Sequence, residues 1–480
     1  MTLKFRKNII LYVLLSFSLV ACKATKNKTE VADKPNIVLI MADDLGIGDI
    51  GVYGQDIFFT PNIDRLAREG MQFNNFYSGS TVCAPSRAAL FTGQHTGHTK
   101  VRGNGEFPLD SSKRIIPEML KEGGYTNAMF GKWGLGLKGS TGSPEKRGWD
   151  AFIGHLHHVD AHFQRPDSLD VIQNGKMTKL NTPEGSYANE IFTEAAVDFI
   201  ESSSHDKPFF LYLSLTIPHA ELVVPHKFIS NHMLSDNVSK YEPEKAWPEG
   251  RHYGAQKHPK AAYAALVESI DNYVGQIMTA LKKKGYDNNT IVIFTSDNGT
   301  HLEGGRIMED VDFFESSGPY RGVKRDLFEG GIRTPFIVRW PGEIASGSTS
   351  GFQGAFWDLY PTFAEVSGLN QEFPAVDGIS FLPTLRDSKK QKKHEYLYWE
   401  FHESGGKQAI LKDEWKAIRL QINTVDPHVE LYNIALDPQE KNNIAAQYPD
   451  ITKNLIHMMD SIRTHNQNFS FLKNQSQKHQ

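Results

Sequence analysis

The chain has 480 residues, of which 39% are hydrophobic and 22% are charged, enough for one large or two moderate domains with a substantial core. Its 52 lysine and arginine residues and 56 aspartate and glutamate residues leave a formal charge of −4. This composition excludes a globally disordered chain, and it offers no basic excess that would bind a nucleic acid backbone. The sequence therefore predicts a folded globular protein without a nucleic acid partner.

The N-terminal segment is typical of an export signal. A basic start precedes an apolar run from Ile9 to Val20, whose 12 residues are too few to span a bilayer as a helix. The run ends in Leu-Val-Ala-Cys22, which resembles the cleavage box of bacterial lipoproteins. We therefore predict a signal peptide over residues 1–21, a lipid on Cys22 and a flexible tether over residues 22–34. The protein would then lie in the periplasm or at the cell surface, anchored to the membrane by lipid only. An ordinary secretory signal with a chance cysteine is the alternative.

The next part of the chain alternates short β-rich runs with helical patterns, which is typical of an α/β sheet. A helix is predicted over residues 261–284, where apolar side chains repeat at i, i+3, i+4 and i+7 spacing. Strands are predicted over residues 36–41, 126–130, 208–215 and 290–296. Residues 35–385 are therefore predicted to form one large α/β domain.

After Leu385 the sequence pattern changes. Residues 386–394 are charged and lack an apolar period, which indicates a boundary or a surface loop. Strands are predicted over residues 396–400 and 415–420, and a helix over residues 449–463. We predict a small α+β C-terminal subdomain over residues 386–480, whose polar tail from Asn466 is expected to fray.

Polar residues follow the predicted strands of the large domain, where the carboxyl ends of an open α/β sheet bind ligands. Adjacent carboxylates repel one another unless a cation joins them, and oxygen ligands suit Ca²⁺ or Mg²⁺ better than zinc. Aspartate and asparagine are also ordinary turn residues, so the pattern alone leaves a structural interpretation open. The residues are Asp43, Asp44, Lys132, His219, Asp297 and Asn298.

A second feature is the segment CAPSRAALFTG, residues 83–93. Pro85 suits the first helical position, so Cys83 is predicted just before a helix N-terminus, where backbone N–H groups favour an anion. Arg87, four residues on, is predicted on the same side as residue 83. From the residues alone, Cys83 is also compatible with a buried cysteine that caps a helix, or with a nucleophilic thiolate.

This segment resembles the signature of the sulfatase family, Cys-x-Pro-Ser-Arg followed by Thr-Gly. The resemblance implies an alkaline-phosphatase-like fold, with a large mixed β-sheet between helices and a small C-terminal sheet, and makes residues 35–385 the catalytic domain. It also implies that a maturation enzyme oxidises Cys83 to Cα-formylglycine (3-oxoalanine). The resemblance continues over residues 36–44, 61–64, 131–133, 296–299, 318–333, 431–433 and 437–438.

Transferred residue by residue, the resemblance implies a calcium-dependent sulfuric ester hydrolase, with Mg²⁺ the less favoured ion. Arg87 and Lys132 would hold the hydrated aldehyde, and Lys324 would contact the sulfate ester. His219 would be the general acid that protonates the leaving oxygen. The calcium ligands would be Asp43, Asp44, residue 83 in its oxidised form, Asp297 and Asn298.

The chain departs from the family pattern at Gly134, where the family commonly has a histidine two residues after Lys132. His162 and His301 are candidates to fill that space and to contact substrate, and each is equally compatible with an ordinary loop histidine. The glycine variant resembles the branch of bacterial sulfatases that act on polysaccharides.

The predicted function is hydrolysis of the sulfate esters of a sulfated oligo- or polysaccharide. The polymer would be an algal polysaccharide, such as ulvan or carrageenan, or a glycosaminoglycan. Two alternatives remain: a phosphonate or phosphate monoester hydrolase of the same superfamily, and a catalytically inactive glycan-binding lipoprotein.

Overall fold

The computed structural model describes residues 34–248, 252–369, 376–386, 388–424 and 427–471. The predicted signal peptide, the lipidation of Cys22 and nearly all of the predicted tether lie outside these residues. Within them, no helix combines the length and the apolar character needed to cross a bilayer. The described residues form one compact unit, and the domain boundary at residue 386 stays a prediction.

A mixed sheet of ten strands forms the centre of the molecule. The strands of the chain, in order, are β1 (Asn36–Asp43), β2 (Met71–Phe73), β3 (Phe76–Tyr77), β4 (Thr126–Lys132), β5 (Ala151–His155), β6 (Ser168–Gln173), β7 (Lys176–Asn181), β8 (Phe209–Pro218), β9 (Met233–Ser235), β10 (Val238–Ser239), β11 (Thr290–Ser296), β12 (Phe336–Arg339), β13 (Ser348–Ser350), β14 (Gly354–Ala355), β15 (Leu397–Phe401), β16 (Lys407–Lys412), β17 (Trp415–Leu420) and β18 (His428–Asn433). The large sheet has the order β13-β2-β12-β11-β1-β8-β4-β5-β6-β7. Its five middle strands, β11 to β5, run parallel, and β12 and β6 flank them antiparallel.

The four strands predicted for the large domain correspond to β1, β4, β8 and β11, and the predicted mixed sheet is confirmed. β1 shows why the pattern was readable: Val38 and Ile40 pack on one face of the sheet, while Leu39 and Met41 pack on the other. Helices cover both faces, so a middle strand is apolar at every position.

The helices lie on the two faces of the sheet and beneath the C-terminal part. The predicted helix over residues 261–284 is present as Pro259–Lys283, whose buried side chains pack on one face. The α-helices, in order, are α1 (Pro61–Arg68), α2 (Cys83–Thr92), α3 (Ile116–Glu122), α4 (Ala188–Ser202), α5 (His226–Ile229), α6 (Pro259–Lys283), α7 (Met308–Phe313), α8 (Glu329–Ile332), α9 (Leu359–Val366), α10 (Leu382–Arg386) and α11 (Pro449–Ser461).

The C-terminal part is an antiparallel sheet in the order β15-β16-β17-β18, with α11 packed against it. Both predicted strands and the predicted helix are present, and β16 and β18 add two strands that were not predicted. The expectation of a frayed tail from Asn466 is wrong for residues 466–471. Phe469 and Phe471 are buried there, and the Phe471 ring stacks on His402 with 4.1 Å between centroids. Two aromatic side chains thus hold an otherwise polar segment.

A buried ion cluster joins the C-terminal sheet to the large domain. Lys416 on β17 places Nζ 2.8 Å from Glu329 Oε1 of α8 and 2.8 Å from Glu440 Oε1, and all three side chains are fully buried. Arg333 Nε also donates to Glu329, over 2.7 Å. Because a buried carboxylate needs a compensating charge, Lys416 ties the two parts of the chain together.

Replacement of Lys416 is therefore expected to be strongly destabilising. In Lys416→Met two buried carboxylates lose their shared cation, and the free energy of unfolding should fall by about 3–5 kcal/mol in urea denaturation. The matched control is Lys412→Met on β16, a partly exposed lysine 3.8 Å from Glu395, which should cost less than about 0.5 kcal/mol. Equal losses in the two variants would contradict this role of the cluster.

Candidate active site

Four parallel strands end at one edge of the large sheet and place the predicted polar residues there. The register pairs Ala42 of β1 with Ser296 of β11, and Asp43 with Pro218 of β8. The residues that follow these strands, among them Asp44, Asp297 and His219, therefore emerge side by side. The structure thus brings together side chains that lie far apart in the sequence, as Asp44 and Asp297 do.

The acidic side chains form a compact group around Cys83. One oxygen each of Asp43, Asp44 and Asp297, together with Cys83 Sγ, lie within 4.8 Å of one another, and all four residues are buried. Asn298 Nδ2 donates to Asp44 Oδ1 over 2.7 Å, and its buried Oδ1 has no hydrogen-bond partner among the described residues. Carboxylate oxygens and an unpaired amide oxygen are the donors that a hard divalent cation prefers. The residues present therefore fit such an ion.

Each aspartate of this group faces one basic side chain. Lys132 Nζ lies 2.6 Å from Asp43 Oδ2, Lys324 Nζ lies 2.7 Å from Asp44 Oδ2, and Arg87 NH2 lies 2.7 Å from Asp297 Oδ2. The six charges sum to zero in a region without solvent exposure. A divalent cation would give the group a net positive charge, which suits an anionic ligand.

The titration behaviour of the three aspartates follows from this pairing. Burial alone raises the pKa of a carboxyl group, but Lys132 holds the pKa of Asp43 below its ordinary value, and Lys324 does the same for Asp44. Burial and the charge of Asp43 raise the pKa of Asp297 despite the facing Arg87. Asp297 is thus the carboxylate that gains most from an additional cation.

Cys83 is the first residue of helix α2, so the helix begins two residues before the predicted first helical position, Pro85. As predicted from the four-residue spacing, Arg87 lies on the same side, with NH2 3.8 Å from Asp43 Oδ1, while Cys83 Sγ lies 3.3 Å from that oxygen. Burial and the charge of Asp43 raise the pKa of the Cys83 thiol well above its ordinary value. This environment disfavours a thiolate nucleophile, and the sulfur faces carboxylates rather than capping the helix.

His219 projects into the same group. Its Nδ1–H donates to the carbonyl oxygen of Ala220, which directs Nε2 toward the acidic cluster. Nε2 lies 3.3 Å from Asp44 Oδ2 and 2.9 Å from Glu303 Oε2, and its geometry forms a hydrogen bond with neither. The Nε2 atom therefore remains available to a ligand.

The two candidate substrate histidines differ in position. The His162 ring stacks on His219 with 3.9 Å between centroids, and its Nδ1 is hydrogen-bonded to the Tyr253 hydroxyl over 2.9 Å, which leaves Nε2 without a partner in this pair. His301 lies on the opposite side of His219, 5.6 Å away, where Nε2 donates to the Pro218 carbonyl and Nδ1 accepts the Glu303 N–H. Burial lowers the pKa of His301 to about 3. His162 thus borders the site with an available ring nitrogen, whereas both His301 nitrogens bond the backbone.

Neither of these histidines adjoins Gly134. A Cβ atom built on Gly134 would lie 3.6 Å from the Cβ of His158, and no other described atom beyond the chain neighbours would be within 4 Å. The run of residues 155–162 contains four histidines, and no sequence pattern distinguishes His158 from the others.

Glu303 is a second residue that the sequence reasoning missed. Its carboxylate lies 3.0 Å from Lys324 Nζ and 2.5 Å from Arg325 NH1, in addition to its contact with His219. Burial favours its neutral form, but Lys324 and His219 hold the pKa of Glu303 well below its usual range. Its position five residues after Asn298 was the only signal in the sequence.

The sequence models of two protein families match the chain. The model described as sulfatase matches residues 35–369, and the model described as N-sulphoglucosamine sulphohydrolase, C-terminal, matches residues 322–465. The two matches together cover the ten-stranded sheet, the candidate site and the C-terminal sheet.

Individual proteins show the same similarity. The N-acetylgalactosamine-6-sulfatase of Mus musculus is 33% identical over 394 residues, covering 76% of this chain and 68% of that protein. The N-acetylgalactosamine-6-O-sulfatase of Bacteroides thetaiotaomicron is 29% identical over 523 residues, covering 92% of this chain and 96% of that protein. Two crystal structures of Ps i-CgsB are 27% identical to this chain. The structure without a named ligand has a TM-score of 0.74. The complex with k-i-k-neocarrahexaose has a TM-score of 0.75 and covers 92% of this chain and 96% of that chain.

A divalent cation is expected to stabilise the protein through the acidic cluster. An ion that binds only the native state adds about 2.7 kcal/mol at a hundredfold excess over its Kd. The measurement is the thermal midpoint of EDTA-treated protein titrated with CaCl₂ and, separately, with MgCl₂. Asp297→Asn should lose the ion-dependent shift, and the exposed Asp236→Asn should keep it. A midpoint that does not respond to either ion would contradict the metal interpretation.

Proposed function

The chain belongs to the sulfatase family of sulfuric ester hydrolases, and from this premise we propose that it removes sulfate from a carbohydrate in a calcium-dependent reaction at residue 83. The observation that carries the proposal is the buried group of three aspartates and three basic side chains around Cys83. Such a group is suited to an anion that must be held away from water.

The similar proteins support a sulfated glycan as substrate. Two relatives are named for N-acetylgalactosamine 6-sulfate, and the structure of Ps i-CgsB holds a neocarrahexaose. We therefore propose a sulfated oligo- or polysaccharide, with a role in the degradation of an algal polysaccharide or a glycosaminoglycan.

We assign the calcium ion to Asp43, Asp44, Asp297, Asn298 and residue 83. Calcium is favoured over magnesium because buried protein oxygens would provide most of the ligands, whereas Mg²⁺ keeps several water molecules. When bound, the ion supplies positive charge that stabilises the sulfate group.

We further propose that a maturation enzyme oxidises Cys83 to formylglycine. Formylglycine at position 83, held by Arg87 and Lys132, would supply a hydrated aldehyde with two hydroxyl groups, whereas a serine or cysteine side chain has only one group of this kind. The buried thiol, whose raised pKa keeps it protonated, is a poor nucleophile without this change.

The surrounding residues of this chain neutralise negative charge, contact the sulfate group and donate a proton. Lys132 and Arg87, held by Asp43 and Asp297, neutralise negative charge that develops beside residue 83. Lys324 Nζ, fixed against Asp44, contacts the sulfate oxygens. His219 presents Nε2 and donates a proton to the departing sugar oxygen.

The location of the protein follows from residues 1–22. We propose export to the periplasm or the cell surface and attachment through a lipid on Cys22, because the apolar run and the cysteine stand in the order that a lipoprotein signal requires. A substrate outside the cytoplasm agrees with degradation of a polymer.

Comparison of sulfate and phosphate monoesters of 4-nitrophenol tests the reaction class. We expect a higher kcat/KM for the sulfate ester, since the sulfate anion carries one charge where the phosphate carries nearly two. Cys83→Ala should lose turnover by at least about 10³-fold while keeping the thermal midpoint, and the mass of the peptide containing residue 83 should show an aldehyde.

Each contrary result has its own meaning. A preference for phosphate would favour the phosphate or phosphonate monoester hydrolase. An unmodified thiol, in protein purified from a host that has the maturation enzyme, together with no turnover of any ester would favour the inactive glycan-binding protein.

Replacement of His219 tests the proposed general acid. His219→Ala should lower kcat on a sugar sulfate by about 10²–10⁴-fold, because an alkoxide leaves poorly without a proton. The loss should be much smaller on 4-nitrophenyl sulfate, whose phenolate leaves readily. The exposed His226→Ala is the control, and equal losses of His219→Ala on both esters would contradict proton donation.

A further inference from the structure

A cavity of about 230 Å³ lies beside the candidate active site, on the side where the chain leaves β4. Its lining is mostly apolar and includes three glycines. The residues that define it are Gly105, Phe107, Pro108, Gly134, Leu156 and His158. None of the residues discussed so far as catalytic forms part of this lining, so the cavity is a separate feature of the molecule.

The cavity adjoins the catalytic side chains along three segments. Gly134 follows Lys132 by two residues, and its N–H donates to the Leu156 carbonyl over 3.2 Å. Gly105 follows Asn104, whose Oδ1 accepts a hydrogen bond from the N–H of Ala84 over 3.2 Å, directly after Cys83.

The third segment runs through the histidines. The His158 ring lies 6.3 Å from the His162 ring, which stacks on His219. The three segments thus connect the lining of the cavity with Lys132, Ala84 and His162, which lie in or next to the candidate active site.

The lining lacks a positive charge. No lysine or arginine lines the cavity among the described residues, and its polar groups include Glu106, His157 and His158. Burial, together with the charge of Lys132, lowers the pKa of His158 to about 4, so this ring is neutral near pH 7. A mostly apolar lining with a few hydrogen-bonding groups, among them the carboxylate of Glu106, suits the face and the hydroxyls of a sugar ring, and it does not suit a second sulfate or a carboxylate.

The cavity is open at Gly134 because glycine has no side chain to fill it. Its φ is +72°, a conformation that glycine adopts readily, and a Cβ at this position would project toward His158 on the cavity wall. A larger side chain at residue 134 would therefore occupy the cavity.

We propose that this cavity is the binding subsite for an uncharged pyranose ring of the substrate, opened by the glycine at position 134. The inference rests on the proposed sulfatase function and specifies the part of the glycan next to the cleaved ester. Phe107 provides the surface on which the ring packs, and His158 a hydrogen-bonding group for a hydroxyl.

The first experiment fills the cavity. In Gly134→Leu the ratio of kcat/KM for N-acetylgalactosamine 6-sulfate to that for methyl sulfate should fall by about tenfold or more, mainly through KM, because methyl sulfate has no ring to place in the cavity. Gly175→Leu is the matched control: Gly175 has φ +70° and open space around its Cβ position, so it bears the same backbone strain outside the cavity. Its ratio should stay at the wild-type value.

The second experiment removes a wall without changing a glycine. Phe107→Ala should lower the same ratio by about tenfold, and Phe59→Ala, at a residue 69% exposed, should leave it unchanged. The thermal midpoint of each variant separates a binding effect from unfolding.

The third experiment compares the activity of the wild-type protein on N-acetylgalactosamine 6-sulfate and on its 4,6-disulfate. The monosulfate should be the preferred substrate.

The outcomes separate this inference from the proposed function. An unchanged ratio in Gly134→Leu and Phe107→Ala, or a preference for the disulfate, overturns the subsite while the sulfatase stands. Cleavage of 4-nitrophenyl sulfate without cleavage of the 6-sulfates of galactose, N-acetylgalactosamine or N-acetylglucosamine also overturns the subsite. Failure to cleave any sulfate ester overturns the proposed function and the subsite with it.

Discussion

The burial of three carboxylates at one sheet edge is the constraint on which the rest of the structure depends. An unpaired buried charge costs several kcal/mol, so Asp43, Asp44 and Asp297 require partners of opposite charge. Their partners Lys132, Lys324 and Arg87 come from three different parts of the chain. The folded chain must therefore bring the sheet edge, helix α2 and the loop before α8 together. The same six side chains form the candidate active site and meet a requirement of folding.

The segment of residues 318–333 transmits this constraint to the C-terminal sheet. Lys324 points into the acidic cluster, whereas Asp326, two residues on, pairs with Lys407 of β16 over 2.9 Å, and Lys407 also donates to the Arg325 carbonyl over 2.7 Å. Glu329, further along, accepts from Lys416 of β17. One segment thus holds Lys324 in the acidic cluster on one side and two strands of the small sheet on the other. The C-terminal sheet has a direct part in positioning Lys324.

The sequence predicted the centre of this molecule better than its periphery. β1, β4, β8 and β11 were recognisable because strands buried on both faces are apolar throughout, and their ends identified Asp43, His219 and Asp297. The strands β5, β6 and β7, at one end of the strand order, have mixed burial and no comparable signal. Glu303 and His158 were missed because they lie in loops, where the tertiary path of the backbone alone decides what a side chain meets.

The charged cluster and the cavity beside Gly134 would recognise different parts of one substrate. With a divalent cation the cluster would carry a net positive charge and attract any anion, and a glycan with several anionic groups could bind it in more than one orientation. A neighbouring cavity without lysine or arginine admits the ring but penalises a second sulfate, which would lose its hydration without gaining a partner. The cluster supplies binding strength and the cavity supplies orientation. The glycine that departs from the family pattern is thus a means of selecting which ester reaches residue 83.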